Sequence, residues 1–144
     1  MKIGVASDHA GFEYKGKIAV LLKKKGHEVI DYGTYSTESC DYSDFAHPLG
    51  TAIDNGDVEL GVAFCGTGNG MAITLNKHQK VRAALCWGTE IARLAKAHNN
   101  ANVIVMPARF ISYQMVTSIV NKWLETEFEG GRHERRIEKI PLCR

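Results

Sequence analysis

A cysteine with three glycines close behind it is the most chemically suggestive feature of this sequence. The run Cys65-Gly66-Thr67-Gly68-Asn69-Gly70-Met71 follows an apolar stretch at 58–64 and precedes a stretch of helical character at 72–75. Glycine at a strand-to-helix turn lets the backbone take a positive φ and come close to a ligand. The start of the next helix offers unpaired N–H groups and the positive end of a dipole, which suit a phosphate or an oxyanion. A thiol in that field has its thiolate favoured. Such a set could remove a proton and hold the negative charge that results. Better-known loops do not fit. A dinucleotide fingerprint or a Cys-x5-Arg phosphatase loop would need a small residue or an arginine at 71, where Met71 stands. A P-loop needs Gly-Lys-Ser/Thr, and no lysine follows Gly66 or Gly70. The plain structural alternative is a tight turn holding a buried, inert cysteine.

The elements that must position this loop can be read in order. Lys2–Ser7 is apolar at its centre, as a strand covered on both faces would be. Ser7-Asp8-His9-Ala10-Gly11 turns the chain, with Ser7 or Asp8 as the cap. A helix carrying Phe12, Ile18, Leu21 and Leu22 stops at Gly26. A second strand covers 27–31, followed by a polar loop to about 44, long enough to cover a site. Phe45, Leu49, Ala52 and Ile53 predict a second helix with Pro48 in its first turn. After the third strand (58–64) and the glycine loop come a strand at 81–86 and a helix capped by Thr89. That helix carries Ile91, Leu94, Ala95 and His98 on one face. A strand at 102–106, closed by Pro107, leads to a helix whose stripe is Ile111, Met115, Ile119 and Trp123, with Val116 and Val120 beside it. The tail 130–144 is charged, with Ile137 and Ile140 available for packing.

Five alternations of strand and helix predict an α/β, Rossmann-like three-layer sandwich: a five-stranded parallel sheet with helices on both faces. At 144 residues a single domain, 1–144, is expected. Ligands bind such folds outside the carboxyl ends of the strands. That edge collects Asp8-His9, residues 65–70, Trp87-Gly88-Thr89 and Ala108-Arg109. His98 does not fit, because its helix runs back from that edge for ~15 Å at 1.5 Å per residue. Either it neutralises a helix C-terminus, or it serves the site of a second copy, which would make the protein an obligate oligomer.

Composition removes several function classes. A formal charge of +2, evenly spread, gives no reason to expect a nucleic-acid partner, and Lys23-Lys24-Lys25 reads as the solvated end of a helix. No stretch approaches the ~20 apolar residues of a membrane span, and a strand beginning at Lys2 leaves no room for a signal peptide. Cys40, Cys65, Cys86 and Cys143 form no CxxC pair, so the setting is expected to be reducing and cytoplasmic.

Several blocks in fixed order resemble the type B ribose-5-phosphate isomerase family, which includes galactose-6-phosphate isomerase subunits. They are Ser7-Asp8-His9-Ala10-Gly11, Cys65-Gly66-Thr67-Gly68-x-Gly70-Met71, Asn76-Lys77, Val81-Arg82-Ala83-Ala84, His98-Asn99-Asn100-Ala101-Asn102-Val103 and Gly131-Arg132-His133-x-x-Arg136-x-x-Lys139-Ile140. The resemblance spans essentially the whole chain. It implies reversible aldose–ketose isomerisation of a phosphorylated sugar through an enediolate, with no cofactor and no metal, in a dimer or tetramer that shares its sites. It implies Cys65 as general base, the amides of Gly66, Gly68, Asn69 and Gly70 around the enediolate oxygen, and Thr67 with His98 in ring opening. Asp8 and Asn99 would meet sugar oxygens. His9, Arg109, Arg132 and Arg136 would hold the phosphate, the last two on one face if the tail is helical. Asn100, where many members carry Asp, and Met106-Pro107 depart from the family pattern. The substrate that the resemblance favours is ribose 5-phosphate, with a six-carbon phosphate such as galactose or allose 6-phosphate as the alternative. A non-catalytic sugar-phosphate-binding subunit and a redox-sensing thiol protein with Cys86 as resolving cysteine are the competitors from other classes.

Overall fold

The computed structural model describes residues 1–142, so Cys143 and the end of the expected tail lie outside the described residues. Five strands, β1 (Lys2–Ser7), β2 (Glu28–Asp31), β3 (Leu60–Cys65), β4 (Ala83–Leu85) and β5 (Val103–Pro107), pair in parallel in the order β2-β1-β3-β5-β4. Helices α1 (Phe12–Lys24), α2 (Ser43–Asn55), α3 (Asn69–Leu75), α4 (Thr89–Asn99), α5 (Tyr113–Glu125) and α6 (Arg132–Glu138) complete the chain. No helix among the described residues is long and apolar enough to cross a membrane.

The pleat divides the core in two. Ile3, Val5, Val62, Phe64, Ile104 and Met106 face a layer built on α1, α4 and α5. Ala6, Ala63, Cys65, Val103 and Val105 face α2 and α3 instead. This is the period-two alternation of a sheet covered on both sides. On the second face Leu49 of α2 packs directly against Gly4 and Gly61, and a Cβ at Gly4 would overlap it. On the first face the largest buried side chain, Trp123, donates its indole N–H to the Ala101 carbonyl at 3.0 Å, so its one polar group is satisfied.

A buried ammonium ties the segment after β2 to α1. Lys15 is 1% exposed, and its Nζ donates to Asp31 Oδ1 and Oδ2 at 2.7 and 2.8 Å and to the Thr34 carbonyl at 2.5 Å. The rings of Phe12 and Tyr35 flank it. All three donors of the amine have a destination, which is the condition for burying a charge.

Five local expectations are corrected. Pro48 lies in the middle of α2, because the helix begins at Ser43 rather than at Phe45. Thr89 is not a cap. Extended Gly88 takes that position, and Thr89 is the first helical residue. In α4 the buried face is Ala92, Ala95 and Ala97, leaving Ile91 exposed and Leu94 half-buried, so the inward stripe is rotated from the one expected. Ile111 precedes α5 and Met115 is exposed. Ser112 caps the helix by accepting the Met115 N–H at 3.1 Å, which sets Val116, Ile119, Val120 and Trp123 inward. β4 is also shorter than expected, three residues rather than six.

Candidate active site

Cys65 is the last residue of β3, the central strand, and its buried side chain belongs to the α2–α3 face. Its carbonyl accepts the Ala108 N–H at 2.9 Å, and the Gly66 carbonyl accepts the Arg109 N–H at 3.1 Å. The turn after β5 is thereby stitched to the glycine loop. It carries the exposed Arg109 side chain over Gly66, where a Cβ would stand 3.3 Å from Arg109 Cδ and Nη1.

The loop then turns into α3. Gly68 takes φ +80°, a conformation that costs an L side chain roughly 1–2 kcal/mol. It also lies against Leu85, where a Cβ would overlap the δ-methyl. Thr67 Oγ1 accepts the Asn69 N–H at 3.2 Å, and both residues are exposed.

Asp8 and His9 arrive at the same edge from β1. Asp8 caps the single 3-10 turn His9–Gly11 by accepting the Ala10 and Gly11 N–H groups on Oδ1, at 2.9 and 3.2 Å. Its expected capping role is met, and the second carboxylate oxygen is left to other partners. The Cys40 backbone N–H donates to His9 Nδ1 at 3.2 Å. An imidazole that accepts at Nδ1 carries its proton on Nε2 when neutral.

Sequence reasoning missed Tyr42. Its ring lies against Gly70, and a Cβ at Gly70 would overlap it. The polar loop between β2 and α2 therefore reaches the site at two points, Cys40 on His9 and Tyr42 on Gly70. The available signal was the length of that loop, and it did not name the residues.

The remaining expected site residues gather elsewhere. His98 and Asn99 end α4, beside the amino ends of β4 and β5, where Arg82 donates from Nε to the Asn99 and Asn100 carbonyls at 3.2 and 3.1 Å. Asn100 sits at φ +45°, a left-handed position that asparagine tolerates better than most residues, and it closes the helix there. Its departure from the family pattern thus falls on a backbone role. Pro107, the other departure, ends β5 opposite Cys65. The tail is helical over α6, so Arg132 and Arg136, both exposed, are one turn apart on it. His98 stacks on His133 of that helix, with ring centroids 4.3 Å apart and planes 13° from parallel. Asn99 lines a groove with Arg82, Asn76 and Ile140.

One chain therefore carries two sets. Asp8, His9, Cys65 to Gly70 and Arg109 stand at the carboxyl edge of the sheet. His98, Asn99, Arg132 and Arg136 stand at the amino edge, about one strand length away, or roughly 20 Å for a six-residue strand.

The redox alternative loses its partner. Cys86 is fully buried in the layer opposite to Cys65, and burial pushes its thiol up to about 12. A thiol held protonated on the far face of the sheet cannot resolve an oxidised Cys65.

Comparison with known proteins agrees with this architecture. The profile of the family described as Ribose/Galactose Isomerase matches residues 3–140. A ribose 5-phosphate isomerase from Thermotoga maritima is 50% identical and superposes with a TM-score of 0.94 over 97% of each chain. The ribose-5-phosphate isomerase B of Mycoplasma genitalium, whose structure contains ribulose 5-phosphate, is 41% identical with a TM-score of 0.93, over 96% of this chain and 93% of that one. A D-erythrulose-4-phosphate isomerase of Pectobacterium atrosepticum is 40% identical over 141 residues, 97% of this chain and 93% of its own.

Proposed function

The chain belongs to the ribose/galactose isomerase family, and from that premise we propose that this sugar-phosphate isomerase interconverts ribose 5-phosphate and ribulose 5-phosphate through an enediolate, as one catalytic domain. The observation that carries the reading is Cys65 at the mouth of the glycine loop, with Asp8, His9 and Arg109 brought to the same edge. After ring opening, in which Thr67 and His98 assist, the Cys65 thiolate takes the proton from C2 and the electron pair moves onto the carbonyl oxygen. The amides of Gly66, Gly68 and Gly70 hold that oxyanion, joined by the Asn69 N–H once it leaves Thr67 Oγ1. The O2 proton passes to O1, and returning the Cys65 proton to C1 completes the ketose. A positioned base typically contributes ~10²–10⁴-fold, and each oxyanion donor about 3–4 kcal/mol in comparable sites.

Asp8 and Asn99 meet sugar hydroxyls, and His9, Arg109, Arg132 and Arg136 grip the phosphate. No cofactor or metal enters this scheme. The separation of the two sets supports a site shared between copies, in a dimer or tetramer, with His98 and the α6 arginines supplied to the Cys65 of another chain. Exposed Trp87, Phe110 and Ile73, at 58%, 72% and 62%, lie near the carboxyl edge and give a second copy apolar surface to cover. The setting that fits this chemistry is the cytoplasm.

The test is the initial rate of ribulose 5-phosphate formation from ribose 5-phosphate with excess chelator. Rapid turnover is the expected result. Failure of the folded protein to turn over would refute the ribose reading. The four-carbon activity named for the Pectobacterium relative favours assaying shorter substrates beside the six-carbon ones.

A further inference from the structure

Three side chains that commonly ligate metals meet beside the amino-edge set. His98 comes from the last turn of α4, Glu129 from the segment after α5, and His133 from the first turn of α6. Glu129 Oε1 stands 3.7 Å from His98 Nε2 and 3.6 Å from His133 Nε2, and one atom from each residue lies within 4.8 Å of the others. These separations are too long for hydrogen bonds. The two oxygen–nitrogen separations are a few tenths of an ångström longer than the ~3.3 Å edge of a tetrahedron with ligands ~2.0–2.1 Å from its centre.

We propose that His98, Glu129 and His133 form a binding site for a divalent cation of borderline softness, zinc being the best match, with water completing the coordination. Two imidazoles and one carboxylate are a donor set that zinc takes up readily. The site is held from outside. The Glu129 N–H donates to the Ala97 carbonyl at 2.9 Å, and the His133 N–H to the Gly130 carbonyl at 3.1 Å. Gly130 and Gly131, at φ +67° and +58°, fold the chain back so that Glu129 faces His133.

The stacked rings cannot both aim their lone pairs at one ion as they stand. His98, the more exposed of the two, must turn while buried His133 stays. The Arg132 guanidinium opposes a cation, so the site is a modest one. Occupancy removes His98 from ring opening, so zinc inhibits the isomerase. That consequence rests on the proposed function, whereas the binding does not.

Zinc chloride titrated calorimetrically into chelator-treated, dialysed protein is expected to show one such ion per chain, and cobalt(II) at the same site a visible spectrum without sulfur charge transfer. Glu129→Gln, close to isosteric at a half-exposed position, and His133→Gln should each weaken binding at least ~10-fold. Cys65→Ala should bind as the unmodified chain does. Unchanged affinity in Glu129→Gln, or a sulfur-to-cobalt band lost in Cys65→Ala, would overturn the site without reference to turnover. In the isomerase assay, zinc inhibition should shift to at least ~10-fold higher zinc in Glu129→Gln. Inhibition at the same zinc concentration would overturn the link to His98.

Discussion

The groups at the carboxyl edge of the sheet are fixed by backbone, whereas those at the amino edge are carried by side chains on short or terminal pieces of helix. Around Cys65, the Ala108 and Arg109 amides bind the loop to the turn after β5, Gly68 leaves no room for a methyl, and the Tyr42 ring closes against Gly70. Around Arg132 and Arg136 both guanidiniums are exposed, and α6 is seven residues long. A proton transfer through an oxyanion needs donors already aimed, because reorganisation during the reaction cancels their benefit. A phosphate is gripped adequately by mobile charges. The contrast predicts that damage in the glycine loop lowers rate or stability, and that damage to the α6 arginines weakens binding alone.

The largest expected effect is that of Cys65→Ala, a fall in kcat of ~10²–10⁴-fold or more with a urea midpoint close to that of the unmodified chain. Retained turnover would remove Cys65 from the role of base. Mixing this variant with His98→Asn tests the sharing directly: reassembled dimers should recover about a quarter of the unmodified activity, from one intact site in each mixed pair. Mixed dimers without activity would place both residues in the same chain's site. Gly68→Ala should cost about 2–4 kcal/mol, from its positive φ and the overlap with Leu85, and a thermal melt reads it. A melting temperature unchanged by that substitution would contradict the rigid-edge description. Arg136→Gln should raise KM for the phosphorylated substrate by ~10–100-fold, the worth of a charged hydrogen bond, with kcat within a few-fold and no change in melting. A kcat loss as large as that of Cys65→Ala would erase the distinction between the edges. Smallest of all, Asn100→Ala should destabilise by about 1 kcal/mol while Asn100→Gly stays near the unmodified value, because the position is left-handed. Equal melting of the two would show that the turn tolerates either.

Strand and helix order was legible because burial on both sheet faces leaves continuous apolar runs, and the glycine loop because its residue types are rare in combination. The edge on which Asp8, His9 and Arg109 would meet Cys65 followed from the alternation itself, and so did the displacement of His98. Other features left no local trace. Tyr42 sits in a loop with no period, and its place against Gly70 depends on how that loop is anchored at Asp31 and Thr34. Glu129 is brought beside His98 by its N–H donating to the Ala97 carbonyl, a contact between segments distant in sequence. The inward face of α4 was misread because its large apolar residues, Ile91 and Leu94, are left less buried than its alanines. Residue size is a poor guide where a helix packs close.

The ammonium of Lys15 supplies a built-in clock. Amine-directed reagents react with solvated, unprotonated amines, and this one lies under two rings with its three protons engaged. Acylation of the native protein should therefore spare Lys15 while the surface lysines react. Its slow labelling then counts openings of the segment between β2 and Tyr42 rather than the reactivity of the amine. Mass spectrometry of that one peptide, with and without a phosphorylated sugar, would time the cover over the glycine loop without any turnover being followed.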